Sequence, residues 1–268
     1  VKTRILSGIV LAVIMISSCL CGGWYLYFLS LVISLVGMFE LYRVIHMERS
    51  IMAGVGYCAA ILYYICVATR LEKYNILVLV LALMAIMSIY VFTFPKYESK
   101  QVMLAFTGLF YVAVMLSYIY KVRILQDGIY LIWLIFIASW GNDTFAYFTG
   151  VFLGKHKMAP ILSPKKSIEG AVGGIAGATV LGALLGYVVS AKITATFLHP
   201  VLLFAVASCI GAVLAIIGDL TASAIKRNHE VKDYGTLIPG HGGILDRYDS
   251  VIFTAPAVYW AVFIMTRL

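Results

Sequence analysis

Nine stretches of this chain are apolar and long enough to cross a bilayer, and that pattern decides what it can fold into. They run 5–21, 24–39, 51–69, 74–94, 101–120, 129–149, 171–191, 198–222 and 250–266. A spanning helix needs about 20 mostly apolar residues. It must also pair every backbone N–H and C=O within itself, because lipid offers no partners. The expectation is an all-α, polytopic integral membrane protein with about nine transmembrane helices. Charged residues make up only 12% of the chain, against roughly a quarter in soluble domains.

The ends of the spans carry the next signals. Gly22-Gly23 separates the first two spans and predicts a tight helical hairpin, and the second span is short enough to run on through Arg43. Lys2 and Arg4 ahead of an apolar run resemble a signal peptide, and Ile16-Ser-Ser-Cys19 resembles a lipobox. A second span starts at once, at Trp24, so an uncleaved first helix is expected. The five cysteines all lie in apolar runs without zinc-like spacing, and neither metal nor disulfide is expected of them. With the N-terminus inside, fourteen of the 20 Lys and Arg residues fall on the cytoplasmic side. That asymmetry predicts N-terminus in, C-terminus out, and a multi-pass protein of the cell (inner or plasma) membrane with loops 150–170 and 223–249 in the cytoplasm. A net charge of +8 without a basic, aromatic-interleaved stripe argues against nucleic acid as a partner.

Chemistry is unevenly spread. Residues 1–128 read as N-terminal membrane helices, about five spans. There Glu40, Glu48, Glu72 and Glu98 are expected to be solvated interfacial charges, and Trp24, Tyr25 and Tyr42 to sit in the headgroup belt. Residues 129–268 read as the catalytic membrane region. Seven of the twelve acidic residues lie between Asp143 and Asp249. Asp143 and Asp219 fall inside spans, where a carboxylate near the bilayer centre costs at least ~3 kcal/mol and usually faces a polar cavity. Small residues recur as Gly150-x₃-Gly154, Gly170-x₃-Gly174, Gly173-x₃-Gly177 and Gly182-x₃-Gly186, a spacing that lets helices pack closely.

Two polar stretches follow from this. If the eighth helix continues beyond the bilayer, Asp219, Ser223, Lys226 and Arg227 share one face. Asp246 and Asp249 are also three apart, with Arg247 between them. Hard oxygen ligands at this spacing suit Mg²⁺, which takes one or two carboxylates plus substrate phosphates. Lys226, Arg227, Lys232 and Arg247 supply charge for phosphates. The backbone of Pro239-Gly240-His241-Gly242-Gly243 can approach an anion closely, and His241 can orient a neighbour or cap a turn. In the other loop Lys165 and Lys166 form a basic patch at headgroup level.

The stretch Ser223-x-Ile225-Lys226-Arg227-x₄-Lys232-Asp233-x-Gly235-x₂-Ile238-Pro239-x-His241-Gly242-Gly243-Ile244-x-Asp246-Arg247-Tyr248-Asp249 resembles the signature of the phosphatidate cytidylyltransferase, or CDP-diacylglycerol synthase, family. The run from Asn142-Asp143-Thr144 through Gly154-Lys155 to Ser163-Pro164-Lys165-Lys166-Ser167-x-Glu169-Gly170 resembles the same family's second conserved region. Two positions depart from that pattern. Val151 stands where arginine is common, and Tyr248 where an aliphatic residue, Phe or Thr is usual.

The resemblance implies a nucleotidyltransferase of phospholipid biosynthesis. CTP and phosphatidic acid in the bilayer would give CDP-diacylglycerol and pyrophosphate with Mg²⁺, in a possible homodimer. It implies Asp219 and Asp246 as metal ligands, with Asp143 and Asp249 as further ligands or supports. Lys226, Arg227, Lys232 and Arg247, with Ser223, His241, Gly242 and Gly243, would hold the nucleotide, and Lys165 and Lys166 the lipid phosphate. An ion-coupled transporter using Asp143 and Asp219 is an alternative, as is another CTP-dependent lipid enzyme such as a lipid kinase.

Overall fold

The computed structural model describes residues 2–194, 199–240 and 242–267, with side chains from residue 6 onward. Its helices are α1 (Lys2–Cys21), α2 (Gly23–Val44), α3 (Ile51–Ala68), α4 (Glu72–Phe92), α5 (Ser99–Arg123), α6 (Gly128–Leu153), α7 (Ile168–Lys192), α8 (Pro200–Asn228) and α9 (Leu245–Met265). Among the described residues, the eight from α2 to α9 are long and apolar enough to cross a membrane, and Leu6–Cys21 of α1 is a shorter apolar helix. The all-α, multi-pass reading is borne out. One small addition is a two-stranded antiparallel hairpin of β1 (Lys157–Ala159) and β2 (Ser163–Ser167), with Lys157 opposite Ser167.

The chain divides into two compact units. The first comprises 1–117 and 229–247, the second 118–228 and 248–268. The polar stretch read as one loop is therefore shared: its His229–Arg247 part belongs with the N-terminal helices.

Local chemistry explains where the helices begin. The Ser50 hydroxyl accepts the Ala53 N–H at 3.1 Å and starts α3. Glu98 and Gln101 form a reciprocal capping box at the start of α5. Ser167 accepts the Gly170 N–H at 3.1 Å, so β2 passes directly into α7. Each satisfies a backbone donor that the first turn of a helix leaves open. Helix α8 is 29 residues long, about 43 Å at helical rise, and so exceeds a hydrocarbon core of about 30 Å.

In the first unit the core is built around buried tyrosines. The Tyr42 hydroxyl donates to the Ala105 carbonyl at 2.6 Å, and the residue is fully buried. Gly56 and Gly108 leave room for its ring. The expected place of Tyr42 in the headgroup belt is thus corrected: a hydroxyl inside a bundle is satisfied by a carbonyl of the facing helix as well as by water. Trp24 and Tyr25, by contrast, are exposed.

The second unit is held by close backbone approach. A Cβ on Gly174 would meet Asn142 Oδ1 at 2.5 Å and the Asn142 carbonyl at 2.8 Å. One on Gly170 would meet the Ala146 carbonyl at 2.8 Å. These glycines seat α7 directly on α6, which is the packing role their spacing suggests. Gly182 faces Ser208 and Phe204 of α8 in the same way.

Candidate active site

Three helices of the second unit bring the acidic residues of the spans together. Residues Ile137–Gly141 of α6 form a π-helical turn, a local widening that changes the aim of the residues after it. Asn142 and Asp143 follow at once. Gly218 of α8 lies against α9, where a Cβ would meet the Asp249 carbonyl at 2.8 Å. That approach sets Asp219 beside Asp249. Asp143 and Asp249 each lie within electrostatic reach of Asp219 and of one another. Like charges so grouped repel, and cations relieve them. Lys166 forms an ion pair with Asp219 and is also within reach of Asp143. Lys226 lies within reach of Asp249.

The continuous α8 places Asp219, Ser223, Lys226 and Arg227 on one face. Ser223 Oγ stands 3.5 Å from Asp219 Oδ1, a long hydrogen bond. Lys226 is half-buried and Arg227 is exposed.

A cavity of about 500 Å³ opens beside Asp143 and Asp219. Lys165 and Lys166 line it together with apolar groups that include Tyr147 and Val151. Lys157, Met158 and Ser167 of the hairpin also line it, and the residues leading into β1 are held by a carboxylate. Glu169 accepts the Lys155 N–H at 3.1 Å and the His156 N–H at 3.2 Å, and its other oxygen pairs with His156 Nδ1 at 2.6 Å. The roles of Ser167 and Glu169 were not read from the sequence. A Ser ahead of a Glu and a Gly, before an apolar run, is the cap signal that could have shown the first.

The remaining candidates belong to the first unit. Lys232 and Arg247 are exposed, Gly242 half-buried and Gly243 buried. Ile238 and Gly242 pair across the turn, with the Ile238 N–H on the Gly242 carbonyl at 2.9 Å. Gly240 and Gly242 take φ of 78° and 84°, the left-handed region open to glycine. His241 lies outside the described residues. Asp246 is buried, and its Oδ2 accepts the N–H groups of Tyr234 at 2.8 Å and Gly243 at 3.0 Å. The two aspartates first in line as metal ligands, Asp219 and Asp246, thus have different surroundings.

Glu40 was missed. Expected at a solvated interface, it is only 4% exposed. Its Oε1 accepts the Ile244 N–H at 3.0 Å and its Oε2 the Leu245 N–H at 2.8 Å. Desolvating a carboxylate is costly unless such donors meet it, and here the start of α9 supplies two.

Comparison with known proteins fits this chemistry. Residues 2–265 match the model of the cytidylyltransferase family. The chain belongs to the cytidylyltransferase family. It is 31% identical over 265 residues to the phosphatidate cytidylyltransferase of Bacillus subtilis, covering 97% of this chain and 96% of that one. It is 28% identical to the protein of that name from Staphylococcus haemolyticus over 258 residues, and 29% identical to that of Staphylococcus aureus over 261 residues. Each of these covers 95% of this chain and 96% of the relative.

Proposed function

We propose that this chain joins CTP to phosphatidic acid, releasing pyrophosphate and leaving CDP-diacylglycerol in the membrane. The observation that carries the reading is the cavity where Lys165 and Lys166 stand among apolar groups next to Asp143 and Asp219. A lipid phosphate has that mixed character. Val151, in place of the arginine common in the family, adds apolar wall for an acyl chain. A transporter would have use for the carboxylates but none for this basic patch. Nor would it account for a full-length match to the cytidylyltransferase family.

In the reaction a phosphate oxygen of phosphatidic acid attacks the α-phosphorus of CTP. The bond to the bridging oxygen breaks, and pyrophosphate leaves with its electron pair. The attacking oxygen is already anionic, so no general base is required. Alignment and charge neutralisation carry the rate, as in other phosphoryl transfers. We assign Lys165 to draw the lipid phosphate into the cavity. Lys166 holds the Asp219 carboxylate in place. Ser223, Lys226, Arg227, Lys232, Arg247 and the backbone of Gly242 and Gly243 are assigned to the nucleotide.

The donor set fits Mg²⁺. Asp143, Asp219 and Asp249 offer hard oxygens only. Among the described residues no three His, Cys, Asp or Glu side chains stand close enough to hold a metal ion by themselves; Mg²⁺ ordinarily takes only one or two carboxylates and is completed by substrate phosphates. Asp219 would hold the ion together with the substrate phosphates, Asp143 and Asp249 being neighbouring supports, and a bound Mg²⁺ would offset triphosphate charge and polarise the attacked phosphorus. Asp246 has backbone partners of its own, and we assign it chiefly to holding the backbone at Tyr234 and Gly243.

The direct test is purified protein in detergent with labelled CTP, phosphatidic acid and Mg²⁺. CDP-diacylglycerol with pyrophosphate is the expected product pair. A phosphorylated lipid with CDP would instead indicate a lipid kinase, and no nucleotide turnover would point back to transport.

A further inference from the structure

The Glu40 carboxylate is a buried charge among the apolar residues of α2. It stands near the end of α2, buried, and both its oxygens are engaged by backbone more than two hundred residues away. The partners are the N–H groups of Ile244 and Leu245, at the first turn of α9. A helix N-terminus carries partial positive charge and open donors, and a carboxylate there is stabilised by both. Arg43, one turn along α2, adds charge within electrostatic reach.

The segment before α9 is fitted to this carboxylate. A Cβ on Gly243 would meet both Glu40 oxygens at 2.5 Å. A Cβ on Gly235 would collide with Oε1 as well. Two glycines therefore wrap one carboxylate, eight residues apart in sequence. Asp246 Oδ2 gathers the N–H groups of Tyr234 and Gly243. The backbone N–H groups of Tyr234, Gly243, Ile244 and Leu245 are thus held by two carboxylates, Asp246 in the first turn of α9 and Glu40 of α2.

We propose that Glu40 is a positioning residue for nucleotide binding: it holds the backbone at Gly243, Ile244 and Leu245 in the shape in which Gly242, Gly243 and Arg247 receive the phosphates of CTP. The inference rests on the cytidylyl-transfer reading above. It makes a specific demand on kinetics. A segment released from Glu40 spends part of its time in shapes unable to bind, and apparent affinity falls by the competent fraction. CTP binding weakens, while phosphatidic acid binding in the α6–α7 cavity is untouched.

Glu40→Gln is the test, because it keeps the size and replaces one acceptor oxygen by an NH₂ that faces an N–H donor. The apparent KM for CTP is expected to rise by about tenfold, with KM for phosphatidic acid within about twofold of wild type. Amide hydrogen exchange at Ile244 and Leu245 is expected to quicken, and the melting temperature in detergent to stay close to wild type. Gly235→Ala, whose Cβ presses on the same carboxylate, is expected to give the same signature. It decides the matter should Glu40→Gln not fold.

Unchanged exchange at Ile244 and Leu245 would overturn the inference. So would quicker exchange with an unaltered KM for CTP, or an equal rise in both KM values with a lowered melting temperature, which is the mark of a general structural role. A wild-type chain that makes no CDP-lipid would sink the reading beneath it. A wild type that turns over beside a Glu40→Gln variant with unaltered use of CTP sinks only the inference.

Discussion

At the scale of single residues, neighbouring charges have taken different work. Lys165 is exposed beside the cavity, while Lys166 spends its charge on Asp219. The sequence offered them as an equivalent pair. Lys165→Gln is expected to raise KM for phosphatidic acid several-fold with turnover little changed, since it removes attraction equally for ground and transition states. Lys166→Gln should also lower turnover, because Asp219 loses its partner; steady-state kinetics with both substrates separates the two. Asp219→Asn keeps size and removes the anionic ligand. Its turnover should fall at least ~100-fold, about 2.7 kcal/mol of transition-state stabilisation, in a protein that still purifies folded. Near-normal turnover by this variant at limiting Mg²⁺ would refute the assignment. Asp219 was legible because a carboxylate in an apolar run is conspicuous. Glu40 is equally apolar in context, but it lies beside Arg43 near a span end, where solvated charges are common.

At the scale of elements, the glycines do what their spacing indicated, and the contacts say which ones matter. Gly174 touches the backbone of α6, whereas nothing lies within 4 Å of a Cβ built on Gly54 of α3. Gly174→Val should therefore force α6 and α7 apart and lower stability by about 1–3 kcal/mol, the usual range for overpacking. Gly54→Ala should be neutral or stabilising by up to about 1 kcal/mol, because alanine is the better helix former. Thermal unfolding of both variants in one detergent checks the contrast. The hairpin of β1 and β2 was not legible. Its strands are short and rich in Lys, Ser and Pro, with no pattern of apolar residues to mark them; Glu169 holds Lys155 and His156 just before β1, and Ser167 carries β2 into α7.

At the scale of the whole molecule, membrane residence follows from hydropathy, and charge supplies an expectation of sidedness. Cytoplasmic placement of the 150–170 loop is a proposal with a direct check. A single cysteine at Lys157, in a cysteine-free background, should resist membrane-impermeant thiol reagents in intact cells and react once the membrane is opened. Labelling from outside would reverse the orientation and remove cytosolic CTP from that loop. The sequence by itself determined the helices, because span length and apolarity are local properties that any window of twenty residues displays. It also determined the family, because the polar residues between the spans recur in a long mixed pattern. Only the tertiary structure decided how those polar residues are used. Asp219 meets Lys166 from a different helix, and Glu40 meets Leu245 from 205 residues away. A hydrogen bond is won or lost over a few tenths of an ångström, and no local pattern of residue types encodes that distance.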